Sequence, residues 1–396
     1  MRILVVSHTY IVPLNREKLR LLSYLEPDLD VTIVVPQSWQ PGGVQNRQVK
    51  TEFYQENNFR VIPVPNWSQN NQGLLTFGWP IVGFLQSFKP DIIQVEQGVK
   101  SLAYAQLITL NQFLKLGAKN VLFTWWNIPY HLKFPLAWLE SYNLHHTDGL
   151  IGGNQDAVNI LRSHGYQQQA MVMPQLGVDE TLFYAQDQST LRQSLGLNKE
   201  DFVIGYIGRF VREKGLLTLL ESLARITDQA WKLLLVGRGE FKTVLQQAAN
   251  QQGISDRLIW VENVAHDQVV NYVNIMQVLV LPSETSHAQT SLTAKGWKEQ
   301  FGHVLIEAMA CKIPVIGSDS GEIPNVIGEA GLIFPEGQSD ELSICLKKMI
   351  EQPHWREVLA QKGYERVIKN YTNQALAQKL LNFYKNVLTE NTVEKQ

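Results

Sequence analysis

Glu299 and Glu307 stand eight positions apart in Lys298-Glu299-Gln300-Phe301-Gly302-His303-Val304-Leu305-Ile306-Glu307-Ala308-Met309-Ala310. Glu299 precedes a Phe-Gly turn, and Glu307 lies in an apolar, helix-favouring run. Carboxylates accept hydroxyl hydrogens. One at a glycine turn and another a helical turn further in can hold two hydroxyl-rich parts of one ligand, which suits a sugar nucleotide. Gly302 carries no side chain, so residues 301–304 would offer free backbone amides at a helix start. Glu307, on an otherwise apolar face, needs a partner if buried, and ribose hydroxyls would serve. The plainer readings are a charged loop tip at Glu299 and an exposed or salt-bridged helix position at Glu307.

A second candidate is Gly208-Arg209-Phe210-Val211-Arg212-Glu213-Lys214-Gly215, after an expected strand and before an expected helix. Glycines let backbone amides approach an anion, and a helix start presents positive charge. Arg209 supplies a planar fork and Lys214 a point charge, a sensible pair for a diphosphate. The competing reading is a solvated basic loop. Gly237-Arg238-Gly239 marks another strand-to-helix junction but lacks the third glycine of a dinucleotide fingerprint. A tight turn and a pocket wall are both open there.

Short apolar runs alternate with longer helical patterns, which predicts parallel sheets with crossover helices. Strands are expected at 3–6, 31–35, 91–95, 121–124 and 149–152, and helices at 16–25, 101–116 and 155–163. Residues 39–79 read as a long excursion with one extra strand at 59–63. The pattern restarts at 202–208 and continues with strands at 232–236, 258–261, 278–281 and 313–316. Helices are expected at 216–226, 241–251, 267–274, 304–310 and 340–350, with two more in 355–387. A chain of 396 residues exceeds one ordinary core. The division expected is 1–173 with a returning C-terminal helix at about 375–396, and 174–374 as a second α/β domain. Ligands of such domains bind beyond the carboxyl ends of the strands.

The net charge of −2 exerts no general pull on nucleic acid. Cys311 and Cys345 are the only cysteines and lack ligand-like neighbours, so a disulfide framework or zinc site is not expected and a reducing compartment fits. The opening Met1-Arg2-Ile3-Leu4-Val5-Val6-Ser7 meets His8 too early for a signal peptide. No apolar run is long enough for a membrane span. A cytoplasmic protein is expected, with peripheral contact at the inner face of a membrane left open.

The order Gly-Arg-x4-Lys-Gly, then Glu-x7-Glu before Ala-Met-Ala-Cys, then Pro-Val-Ile-Gly-Ser-Asp resembles the retaining glycosyltransferases of family four, which have the GT-B fold. The match covers most of the second half. Asn154 and Gly177-Val178-Asp179 with Phe183 are similar to the family's linker. The resemblance implies an α/β GT-B enzyme with two Rossmann-like domains facing a central cleft, the first binding acceptor and the second donor. By the same resemblance, Arg209 and Lys214 would bind the donor diphosphate, Glu307 the ribose, and Glu299 the donor sugar's hydroxyls. The Phe301-Gly302 turn would offer amides to that sugar, Val304 would meet the phosphates, and Val264 would lie near the base. No metal and no cofactor beyond the nucleotide-sugar co-substrate is implied, and nucleic acid is not an expected partner.

Three departures from the family stand out. The loop Ser7-His8-Thr9-Tyr10-Ile11-Val12-Pro13-Leu14-Asn15-Arg16 has no glycine pair, and Asn15 looks like a helix N-cap. The histidine usual after the fourth main strand is replaced by Thr124-Trp125-Trp126-Asn127, which leaves Asn127 as a substitute. Residues 284–298 separate Leu281-Pro282-Ser283 from Glu299 and would either gate the sugar pocket or form a tolerated surface loop. Trp125 and Trp126 are equally open between acceptor contact and packing. His8 is an acceptor-side candidate that structural packing would also explain.

The activity expected is retaining transfer of a sugar from a nucleoside-diphosphate sugar to a hydroxyl of a glycan or lipid-linked acceptor, in polysaccharide or glycoconjugate biosynthesis. A sugar-nucleotide epimerase or hydrolase, or a non-catalytic nucleotide-sugar or glycan binder, are the alternatives.

Overall fold

A computed structural model of the chain describes residues 1–40, 48–290 and 295–389. It divides into two compact units, Met1–Gly177 with Asn373–Gln396, and Val178–Thr372. The change of unit falls at 177/178, a few residues beyond the expected 173/174, and the returning helix opens at Asn373.

The first unit is built on an eight-stranded sheet. Its spatial order is Gln169–Val172, Gly149–Gly152, Lys119–Thr124, Ile92–Val95, Arg2–Val6, Asp30–Pro36, Phe59–Val64 and Tyr54–Glu56. All pairs are parallel except the last. Buried on both faces, the central strands read as continuous apolar runs, which is why they were legible. The last helix, Asn373–Thr389, contributes Leu376, Leu380, Leu381, Tyr384 and Val387 to this core. It passes so close to Gly149 that a Cβ there would sit 2.8 Å from Val387 Cγ2.

Several elements were not expected. Pro80–Phe88 and Leu136–His145 are helices, and among the described residues the antiparallel pairs Ser38–Trp39 with Val49–Lys50 and Asn66–Trp67 with Thr76–Phe77 accompany the strands Tyr54–Glu56 and Phe59–Val64. Asn15 is not a helix N-cap. It lies within the 3-10 turn Pro13–Arg16, and its side chain donates to the Thr9 carbonyl at 2.9 Å. The turn itself carries the chain into the helix Glu17–Leu22, which leaves no place for a capping side chain.

The second unit has a six-stranded parallel sheet. Its order is Leu258–Val261, Trp231–Val236, Phe202–Ile207, Val278–Leu281, Val315–Ser318 and Gly331–Phe334. A Cβ on Gly205 would lie 1.9 Å from Met276 Sδ, so the central strand admits no side chain there. Strands Ser286–Thr290 and Lys295–Trp297 pair antiparallel within the 284–298 segment. Residues 291–294 of that segment lie outside the described residues. The strand Gly331–Phe334, preceded by the short helix Ile323–Ile327, was also unexpected. Among the described residues no helix is long and apolar enough to cross a membrane.

Candidate functional site

In the second unit the candidate residues cluster where parallel strands end. Phe202–Ile207 leads into Gly208 and Arg209, then the 3-10 turn Arg212–Lys214 and the helix Leu216–Ala224. Gly215 joins turn to helix at φ +64°, and a Cβ there would lie 1.8 Å from the Pro282 carbonyl oxygen. Only glycine fits this left-handed, crowded position. The Gly237-Arg238-Gly239 junction packs backbone to backbone on the first loop. Cβ atoms on Gly237 and Gly239 would lie 1.9 Å from Gly208 O and 2.1 Å from Phe210 O. Phe210 N donates to Arg238 O at 2.9 Å, and Phe241 N to Phe210 O at 3.0 Å. Close approach of two loops is thus what these glycines permit. The exposed Arg209 guanidinium has no hydrogen-bond or ion-pair partner among the described residues.

Glu299 is buried, not a charged loop tip. Its Oε2 pairs with Lys214 Nζ and accepts from Ser283 Oγ at 2.7 Å. Ser318 Oγ in turn donates to the Ser283 carbonyl at 2.5 Å. Lys214 Nζ also lies 4.9 Å from the ring centroid of Trp297. The Glu299 carbonyl receives Glu322 N at 3.2 Å, and Gly321, at φ +56°, makes room for it. Turn, strand end and paired segment therefore converge on one carboxylate–ammonium pair.

Gly302 opens the helix His303–Ala310 at φ +83°. A Cβ there would meet Leu281 Cδ2 at 2.6 Å. Phe301 is buried edge-on against Tyr371, with ring centroids 5.6 Å apart, so its side chain anchors the turn from below. Val304 and Glu307 are half-buried on this helix. The Glu307 carboxylate has no hydrogen-bond or ion-pair partner among the described residues. Loss of hydration pushes its pKa up to about 7. Burial, and next the Glu307 charge, push the Cys311 thiol up to about 12, so it is no reactive nucleophile. Val264 follows the strand Leu258–Val261, in a loop tied to the glycine junction by Arg238 Nη1 donating to Asn263 Oδ1 at 3.0 Å.

In the first unit, His8 follows the first strand, with Nδ1 3.1 Å from Gln97 Oε1 and its ring against Trp39. Burial lowers its pKa, which favours the neutral ring. Trp125 is wedged against Gly153 and donates from Nε1 to Gln175 Oε1 at 3.1 Å. Trp126 Nε1 donates to Ile128 O at 2.6 Å, and Asn127 is buried. Asn154 accepts from Ala157 N at 2.8 Å, capping its helix, and donates to the Trp125 carbonyl at 3.0 Å.

Sequence reasoning missed Lys100, whose Nζ lies 4.0 Å from the ring centroids of both Trp126 and Tyr130. Desolvation, partly offset by Glu140, brings its pKa down to about 8. It also missed buried Glu96, whose Oε2 accepts from Gln175 Nε2 at 2.7 Å. No local spacing signals either residue, because Trp126, Tyr130 and Gln175 lie far from them along the chain.

Residues 187–366 match the family described as Glycosyl transferases group 1. The N-acetyl-alpha-D-glucosaminyl L-malate synthase of Bacillus anthracis is 27% identical over 218 residues, 54% of this chain and 53% of that protein. The capsular polysaccharide biosynthesis glycosyltransferase CapM of Staphylococcus aureus is 29% identical over 205 residues, 49% of each. The matched region thus spans about half the length of these relatives. Among solved structures, sucrose-phosphate synthase from Thermosynechococcus elongatus has a TM-score of 0.71 at 19% identity, covering 98% of this chain and 99% of its own. Anabaena HepE in complex with UDP has a TM-score of 0.69 at 16% identity, covering 98% and 100%. These likenesses show a shared fold, GT-B.

Proposed function

Because residues 187–366 are a glycosyl transferases group 1 domain on the GT-B fold, we propose that the protein transfers a sugar from a nucleoside-diphosphate sugar to a hydroxyl of a glycan or lipid-linked acceptor, with retention of configuration. Polysaccharide or glycoconjugate assembly is the setting we infer, in keeping with the named role of CapM. The observation that carries the reading is the convergence of Lys214, Glu299 and Ser283 beside the two glycine loops.

In this reading the second unit holds the donor. Arg209 and Lys214 take the diphosphate, and Glu307 takes the ribose hydroxyls once ionised. Glu299, the amides of the Phe301-Gly302 turn and Val304 surround the sugar and its phosphates, and Val264 lies by the base. In the resting protein Lys214 is held by Glu299, so an arriving diphosphate would share or take over the ammonium. As the glycosidic bond breaks, negative charge grows on the leaving diphosphate, and fixed cations stabilise it. The leaving phosphate can then accept the acceptor hydroxyl's proton on the same face of the sugar, so that configuration is kept. Cations of the chain itself serve here, and a resident metal is not required by the proposal. The first unit, through His8, Trp125, Trp126 and Asn127, is assigned the acceptor.

HepE was solved with UDP, which makes UDP the first nucleotide to try. A thermal-shift screen of UDP, GDP and ADP and their sugars is the test, since a ligand bound by the folded state raises the melting temperature. The expected result is stabilisation by one nucleoside diphosphate and its sugar, followed by transfer with the same anomeric configuration by NMR. No shift with any of them would remove the donor assignment. An inverted product would remove retention.

A further inference from the structure

The first unit contains a cavity of about 600 Å3 that none of the candidate residues above lines. Its walls are the 130–132 loop, the helix Leu136–His145 and the turn at 164–168. The volume is within the range of small-molecule sites, about 300–1,000 Å3. Beneath it lies Glu140, only 7% exposed. Tyr130 OH donates to one carboxylate oxygen, and His164 Nδ1 lies 2.9 Å from the other. Burying a carboxylate is costly unless it is hydrogen-bonded. Here each oxygen has a partner, so the carboxylate orients Tyr130 and His164 at the cavity wall. With Nδ1 held at Glu140, the ring's orientation is fixed and Nε2 is the nitrogen left for a ligand. His164 lines the cavity, and its Nε2 has no partner among the described residues.

The remaining walls narrow the ligand class. Neither Lys nor Arg is among the lining residues, which argues against a phosphate or a carboxylate. Lys100 lies against the Tyr130 ring but is not among them. Leu132, Ala137 and Leu144 supply too little apolar wall for an acyl chain. Ser141, His145 and Gln168 add hydroxyl, imidazole and amide groups beside them. Hydrogen-bonding groups alternating with small apolar patches match a pyranose, which presents hydroxyls at its rim and C–H groups on its faces.

From the cavity over the Glu140-oriented His164 imidazole, we propose a saccharide-binding subsite in the first unit, separate from the residues assigned to donor and acceptor chemistry. It holds one or two pyranose units of a glycan. The subsite does not require turnover, so it stands or falls apart from the transfer reaction.

The test is calorimetric or saturation-transfer NMR titration of the full chain, without nucleotide, using maltose, cellobiose and N,N′-diacetylchitobiose. Ser141 is an exposed helix position, so Ser141→Trp fills the cavity mouth without touching the core. At least one disaccharide should bind in the millimolar range and lose about tenfold or more in affinity in Ser141→Trp, with the melting temperature unchanged. His164→Ala should weaken the same probe. The proposal is overturned if no disaccharide binds up to about 50 mM, if binding survives Ser141→Trp, or if inorganic phosphate binds there instead. Nucleotide affinity, measured in parallel, reports on the donor site alone and should not change in either variant.

Discussion

Lys214 and Glu299 complete each other at the residue scale: removing either leaves a buried charge without its partner. Lys214→Ala should lower kcat/KM by about a hundredfold or more in steady-state assays of transfer, because charge on the leaving diphosphate would lose its point cation. Wild-type turnover in that variant would end the diphosphate role. Glu307 makes a pH-dependent prediction. Its carboxyl is raised from 4.5 to about 7, so the folded state retains a proton that the unfolded state has lost. The stability this contributes is complete below pH 4.5 and is lost as the pH rises through about 7. Between about pH 5 and pH 8, wild type should lose roughly 1–3 kcal/mol relative to Glu307→Gln in urea melts, towards the low end because the residue is partly exposed. Nucleoside-diphosphate affinity should rise over the same interval in wild type more than in Glu307→Gln, since the ionised carboxylate is the better ribose partner. Parallel titration curves for the two proteins would count against that contact. The types and order of Arg209, Lys214, Glu299 and Glu307 were legible in the sequence. The resting ion pair and the Ser283 contact were not, since they depend on strand ends distant along the chain.

At the scale of elements, Gly215 and the paired strands around Trp297 carry the site. Gly215→Ala places a Cβ against the Pro282 carbonyl in a left-handed conformation, and should cost at least about 2 kcal/mol in chemical denaturation. A near-neutral result would mean the loop relaxes easily. Trp297 extends the sequence reading of residues 284–298. Its ring faces the Lys214 ammonium, a contact worth about 1 kcal/mol. Trp297→Leu should therefore lower turnover by about tenfold while the donor Kd moves less, and equal effects on both would make it a simple binding residue. Buried strands such as Gly149–Gly152 and Val278–Leu281 were readable because both faces are apolar. Leu136–His145 was not, because its apolar and polar residues do not gather into one stripe. Asn15 was misread because a 3-10 turn and a helix N-terminus share the same short polar residues.

On the scale of the whole molecule, two compact units each have their own sheet, wholly parallel in the second and parallel but for one edge strand in the first, and the last helix returns to the first of them. Leu380 is fully buried in that core, so Leu380→Ala should destabilise by about 2–5 kcal/mol, read as a lower melting temperature. If melting were unchanged, the helix would not belong to the cooperative core. The sequence by itself determined the alternating α/β plan, the order of the glycine-loop and glutamate motifs and the absence of a complete dinucleotide fingerprint, because periodicity and glycine placement act over a few neighbouring residues. Tertiary structure decided the rest. It set Glu299 against Lys214, closed the two glycine loops on each other, clamped Lys100 between aromatic rings and buried Glu140 beneath a cavity. Each of these joins residues from separate loops, helices and strand ends, and the folding that brings them together leaves no mark within any short stretch of chain.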